Sequence, residues 1–410
     1  FTLPDLLEAR YNQTARVLGT IAILFAYIGI TSYQFKGGGD VLHLIFPDAV
    51  TSEQGTFLIA AFVILTTALA GMSSVVHMDT VIGSLVTVIC IIAAPYLLLQ
   101  AGGWAGLRHS LPPEYFQVLG NYRFSPEHVR QSAGMGVVRG LEFLVPTMLL
   151  MLGNQVMYQK FFSARSERDA RVSVIGWVLG TVLLETLIVS IAVFGRALYP
   201  SGEVALHPRE IIPYTARHGL PAVMGAVLLG AVFAKVISTA SNYLFSPATN
   251  LVEDVFVRYI SPRASNKIIL IVSRFCVVLL GCWALYQAVY AESILQKMLW
   301  AYTIYSAALT PVVLAAFYSK RATAWGAVAA IGSGTVVTLV WSPFLLPLHL
   351  PWTGASITVQ WPGLSSFFPS ILADRDAIFP ALFAAVAALI LVSLVTPKPA
   401  AAQLAQFGDA

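Results

Sequence analysis

Lys235 stands in the middle of a long apolar stretch, one helical turn before the hydroxyls of Ser238 and Thr239. An ammonium so placed costs free energy to desolvate, and an ionisable group inside an apolar span is a functional candidate by default. Glu185 is a second isolated charge of this kind, one turn from Thr181 on the same helix face. A carboxylate there must be protonated or paired. Glu142 has Arg139 one turn away, which reads as an ion pair lining an outer vestibule. Asp79 opens a further apolar stretch, where a helix dipole favours a carboxylate. Residues of these types bind ions, carry protons and orient small polar solutes. They do not compose an enzyme site: neither HExxH nor GxSxG occurs, and the seven histidines share no helix face.

The elements that must position these groups follow from composition. Of 410 residues, 57% are hydrophobic and 11% charged, with a mean hydropathy of +0.76. A soluble domain carries roughly a quarter charged residues to dress its wet surface. Lipid is therefore the expected solvent for most of this chain, and the bilayer its first partner. The net charge of +4 does not point to nucleic acid, because the basic residues fall in short runs between apolar stretches. Cys90, Cys276 and Cys282 lie within those stretches and suggest neither a disulfide framework nor a metal site.

Ten stretches are long enough to span a bilayer, at approximately 14–35, 55–75, 78–100, 137–160, 171–197, 220–252, 267–290, 296–318, 323–345 and 376–396. Mixed linkers are expected over 36–54, 101–135, 198–219 and 346–375. The short basic linkers fall on one side when spans alternate, and the positive-inside rule assigns that side to the cytoplasm. Residues 1–398 read as one transmembrane domain and 399–410 as a cytoplasmic tail, in a plasma or inner membrane. Pro146, Gly153 and Pro247 sit inside spans, where they kink, pack closely, or expose carbonyls at a binding site. Gly176 and Gly180 form a GxxxG suited to close helix packing. The first residue, Phe1, is not Met, and the opening segment reads as the middle of a loop, so natural sequence is expected to precede it.

Four segments carry a family resemblance. LPDLLEARYNQTAR (Leu3 to Arg16) resembles the loop that enters the third core helix of the sodium/solute symporters. GNQVMYQKFFSARSERDA (Gly153 to Ala170) is similar to that family's end of core helix 6. ISTASNYLFSPATNLVEDVFVRYI (Ile237 to Ile260) looks like core helix 8, and HMDTVIG (His77 to Gly83) more weakly resembles the start of core helix 5. The resemblance implies an all-α polytopic membrane protein with the LeuT-type inverted-repeat bundle and sites beside broken helices. It also implies that core helices 1 and 2 are missing from this chain.

By the same resemblance, Ser238 and Thr239 match hydroxyls that hold the main sodium ion, and the position of the third ligand, a backbone carbonyl, is Lys235. Either that carbonyl still serves, or the ammonium replaces the ion. Asp79 with Ser241 and Asn242 corresponds to a second cation site. Thr147, Thr181, Glu185, Trp300 and Thr303 are the expected substrate-lining residues. The polar groups that grip sugar hydroxyls in relatives are not at these positions, so a small organic acid or amino acid is expected. The function expected is secondary active transport by alternating access with Na+ as coupling ion and no other cofactor. A proton-coupled or uncoupled relative using Lys235 and Glu185 is the alternative. A transporter-like sensor module is a third, disfavoured by the short tail after Lys398. Sequence leaves the oligomeric state open.

Overall fold

The computed structural model describes residues 2–69, 72–116, 136–162, 164–200, 210–290, 294–342, 344–349, 356–368, 376–400 and 404. In lipid every backbone N–H and C=O must be satisfied within its own segment, so apolar stretches of this length become helices. Among the described residues, ten helices are long and apolar enough to cross a membrane. The protein is an integral membrane protein whose described spans are all helical.

In chain order the helices are α1 (Leu3–Arg10), α2 (Gln13–Ile45), α3 (Ser52–Leu69), α4 (Met72–Gln100), α5 (Gly103–Ser110), α6 (Gly136–Gly153), α7 (Gln155–Phe162) and α8 (Glu167–Leu198). There follow α9 (Ile211–His218), α10 (Ala222–Asn250), α11 (Asn266–Val289), α12 (Ile294–Ala308), α13 (Thr310–Tyr318), α14 (Ala324–Trp341) and α15 (Ile378–Val395). A π-helical stretch, Leu251–Ile260, prolongs α10, as the length of the sixth span suggests. Phe344–His349 and Ser356–Trp361 pair as an antiparallel hairpin, β1 and β2, within the linker after α14.

Helix α2 is the hub. Its buried residues join two apolar clusters: one with α1, α12, α13 and α14 (Ala26, Tyr27, Ile304, Tyr305), the other with α3, α10 and α11 (Ile28, Phe35, Ile59, Leu244). A third cluster joins α4, α8, α9 and α10 through Ile89, Leu97, Ile191 and Leu228. Apolar side chains such as Phe57, Phe62 and Leu65 on α3, and Ile175, Leu179 and Val182 on α8, remain exposed. That is the surface a bilayer covers.

Three departures from the sequence expectations have physical causes. Residues 36–45 continue α2 instead of forming a linker, despite the glycines at 37–39. A Cβ on Gly39 would lie 2.4 Å from the Thr56 backbone nitrogen, and one on Gly55 2.6 Å from the Gly39 carbonyl oxygen. Packing of α2 on α3 outweighs glycine's weak helix propensity. The eighth span is interrupted at Leu309, where Pro311 has no N–H for the Ala307 carbonyl. Gly176 and Gly180 meet no other described group within 4 Å, so their GxxxG is not a packing contact within this chain.

Candidate functional site

The decisive interruption is at Asn154, between α6 and α7. Gly153 makes it possible: a Cβ there would approach the Thr310 hydroxyl oxygen to 2.7 Å. Helices α6 and α10 continue through Pro146 and Pro247, so those prolines are not the breaks. A broken helix in lipid strands carbonyls and amides, and here α12, α13 and α2 satisfy them while α10 holds the side chains of Asn154 and Gln155. Tyr305 Oη donates to the Gly153 carbonyl (2.6 Å), Ser306 Oγ to Pro146 (2.6 Å) and Thr310 Oγ1 to Leu149 (2.7 Å). Tyr27 Oη donates to Asn154 Oδ1 (3.1 Å), and Asn154 Nδ2 donates to Tyr243 Oη (2.9 Å). The Gln155 amide reaches both Tyr27 and Tyr305 oxygens, at 3.0 and 3.1 Å. Tyr27 and Tyr305 stack with centroids 5.3 Å apart, while Tyr243 meets Tyr27 edge-on at 4.9 Å. Gln155 Nε2 donates to Ser246 Oγ (2.9 Å) and Asn250 Oδ1 (2.8 Å) on α10.

This clamp was not foreseen. The tyrosines read as apolar in a hydropathy plot, although a mid-span phenol needs a partner. That need was the available signal.

The break aims α7 so that Lys160, in its last turn, reaches Asp79 on α4. Lys160 Nζ donates to Asp79 Oδ2 at 2.6 Å, and Asn242 Nδ2 donates to the same oxygen at 2.8 Å. Ser238 Oγ donates to Asp79 Oδ1. Helix α4 begins at Met72, so Asp79 lies two turns inside it, and the reading of Asp79 as a helix N-terminal carboxylate does not hold. Its charge is met by side chains instead. Asn242 meets Asp79 here, and so does Ser238, which the resemblance assigns to the main site, whereas Ser241, buried on α10, is not among Asp79's hydrogen-bond partners within the described residues.

Lys235 lies one turn before Ser238 on α10 and is solvent-accessible, yet it is within electrostatic range of Asp79, Lys160 and Glu185. Glu185 also acts on Tyr302 of α12, which hydrogen-bonds Tyr33 of α2 at 3.2 Å. Two ammoniums and two carboxylates, carried by α10, α7, α4 and α8, thus form one electrostatic group around Lys235. Ser238 spends its proton on Asp79. Thr239 and the Lys235 carbonyl lie on the same turn of α10 as Ser238.

The expected substrate-lining residues are more dispersed. Thr147 returns its hydroxyl to the Phe143 carbonyl (2.8 Å), the usual bond of a helical threonine. Trp300 packs against Gly29 of α2, 3.5 Å from where a Cβ would stand. Thr303 is fully buried, and its hydroxyl has no hydrogen-bond partner among the described residues. Thr181 is half-buried and Glu185 exposed on α8. Glu142 is buried and accepts the Asp376 amide at 3.2 Å; the Arg139 side chain lies outside the described residues.

The model of the sodium:solute symporter family matches residues 1–334, well over half of the chain. The chain belongs to the sodium:solute symporter family. Among curated relatives of this symporter is the osmoregulated proline transporter OpuE of Bacillus subtilis (strain 168). It is 24% identical over 414 residues, an alignment covering 99% of this chain and 76% of the relative. The sodium/proline symporter of Escherichia coli (strain K12) is 24% identical over 428 residues, covering 100% of this chain and 76% of that one. A solved Na+-coupled sialic acid symporter, in a substrate-bound outward-open state, superposes with a TM-score of 0.69 at 16% identity. That match covers 97% of this chain and 78% of the neighbour, and shows the shared fold. The symporter is a transporter and not an enzyme.

Proposed function

We propose that this symporter moves a small carboxylate-bearing solute across its membrane by alternating access, coupled to sodium bound at Ser238, Thr239 and the Lys235 carbonyl. The observation that carries the reading is Ser238. Its hydroxyl is turned by Asp79 so that its lone pairs stay free, on a helix that packs against the hub α2. The carboxylate is inferred from two sources. The named solutes of the relatives, proline and sialic acid, both carry one. Lys235 offers an accessible ammonium beside the site. Solute contacts come from Thr147, Thr181, Glu185, Trp300 and Thr303. The basic linkers place the end of the bundle that carries α1 and α7, and the C-terminus, in the cytoplasm.

A second reading is favoured by the charges around Lys235: with Asp79 and Glu185 in range, its ammonium could take the ion's place and make transport proton-coupled or uncoupled. Thermal unfolding of the purified protein in sodium and in choline separates the two. A ligand that binds only the folded state raises Tm with its occupancy. Wild-type stabilisation by sodium is expected. A response confined to Lys235→Ala would overturn sodium coupling in favour of the second reading.

A further inference from the structure

We propose that the ammonium of Lys160 is the resident cation of the Asp79 site, so that this second site takes up no sodium in the intact protein. Sodium needs oxygen lone pairs converging on it. Around Asp79 the structure presents hydrogens instead. Lys160 Nζ and Asn242 Nδ2 both donate to Oδ2, at 2.6 and 2.8 Å, and Ser238 Oγ donates to Oδ1. The Asn242 amide cannot be turned round to offer its oxygen, because its nitrogen also donates to the Ser238 carbonyl at 2.9 Å. A flip would set that oxygen against two acceptors.

Position and charge agree. Lys160 is delivered by α7, whose start is fixed by the bonds of Asn154 and Gln155 to α2, α10 and α12. Both partners are largely shielded, with side chains 25% and 17% exposed, so the pair is screened less than a surface pair. Lys235 already acts on the same carboxylate, and Glu185 offsets it. A sodium ion added at Asp79 would face two ammoniums, against the two carboxylates Asp79 and Glu185 that already balance them. A tethered cation cannot be released on each cycle. The site therefore contributes charge balance and geometry rather than a transported ion, and any sodium carried is carried at Ser238. Only that last clause rests on the proposed sodium coupling. Lys160 is a positioning residue: it fixes Asp79, which in turn orients the Ser238 hydroxyl.

The test is thermal unfolding of the purified full chain titrated with sodium chloride, choline chloride holding ionic strength constant. It uses wild type, Lys160→Gln, Lys160→Arg and the double variant Lys160→Gln/Asp79→Asn. Lys160→Gln is expected to melt several degrees below wild type in choline and to recover in sodium by a larger shift than wild type shows. Lys160→Arg should behave as wild type, and the double variant should lose the extra response. Recovery of Lys160→Gln only when it is purified in sodium supports the proposal equally. A sodium response no larger than wild type, an extra response that survives in the double variant, or failure to fold even in sodium each overturns it. The wild-type curve reads the main site separately. A flat wild type beside a responsive Lys160→Gln would remove sodium from Ser238 and leave this inference standing.

Discussion

Arg16→Met is expected to cost this symporter about 3–5 kcal/mol of stability, the usual consequence of stranding one member of a buried ion pair. Arg16 opens α2 with its side chain 4% exposed, and it donates to Asp254, whose own side chain is 1% exposed. It also reaches Asp5 at 2.7 Å and Glu8 on α1. Methionine fills a similar volume but leaves the Asp254 carboxylate, among the described residues, with only the Thr2 hydroxyl, at 3.2 Å. The double variant Arg16→Met/Asp254→Leu removes both charges and should regain most of the loss. Tm of the two variants in one detergent checks this. Equal destabilisation by the single and double variants would mean that packing, not the stranded charge, sets the cost. The network has a positional consequence as well. It ties α1 to the end of α10, and the Leu3 amide bonds Gln155 Oε1 at 3.2 Å, so α1, α10 and the break before α7 are held as one body.

The second large effect is expected at Gly39. Alanine there sets a Cβ 2.4 Å from the Thr56 backbone nitrogen and 2.7 Å from the Ser52 carbonyl oxygen. Backbone cannot rotate away as a flexible side chain can, so α2 and α3 must separate. Overpacking of this kind costs about 1–3 kcal/mol, or more where backbone must move. Gly83→Ala is the matched control, since nothing described lies within 4 Å of its added methyl. By helix propensity alone alanine should stabilise both positions. A lower Tm for Gly39→Ala with an unchanged or raised Tm for Gly83→Ala is the expected pattern, and equal shifts would contradict it.

The spans were legible because lipid leaves the backbone few choices: ten apolar stretches became ten spanning helices. What sequence missed lies where packing overrides local preference. The glycines at 37–39 read as linker, yet they are helical because α3 demands close approach. Sequence singles out Pro146, Gly153 and Pro247 alike for kinking, close packing or exposed carbonyls, and the break falls beside Gly153, at Asn154, where side chains of α2, α12 and α13 satisfy the freed backbone. Within the site, Asp79 and Asn242, grouped by motif, lie in hydrogen-bond contact, and Ser238, assigned by motif to the other site, joins them. Lys160 falls in the sequence at the end of a span and inside the motif GNQVMYQKFFSARSERDA, and nothing in a linear sequence shows that a helix break aims it back at α4. Of the two readings open for Asp79, the helix N-terminus fails because the apolar run begins there while the helix itself starts at Met72.

Uptake into proteoliposomes is the most direct test of sodium-coupled transport of a carboxylate-bearing solute. The probes are radiolabelled L-proline, sialic acid and a panel of small organic acids, each beside its uncharged ester or amide. An imposed inward sodium gradient should drive accumulation of at least one carboxylate above its equilibrium level, and Ser238→Ala should abolish that accumulation while its amide counterpart is ignored. Accumulation that follows a proton gradient without sodium, or that is confined to solutes without a carboxylate, would contradict it.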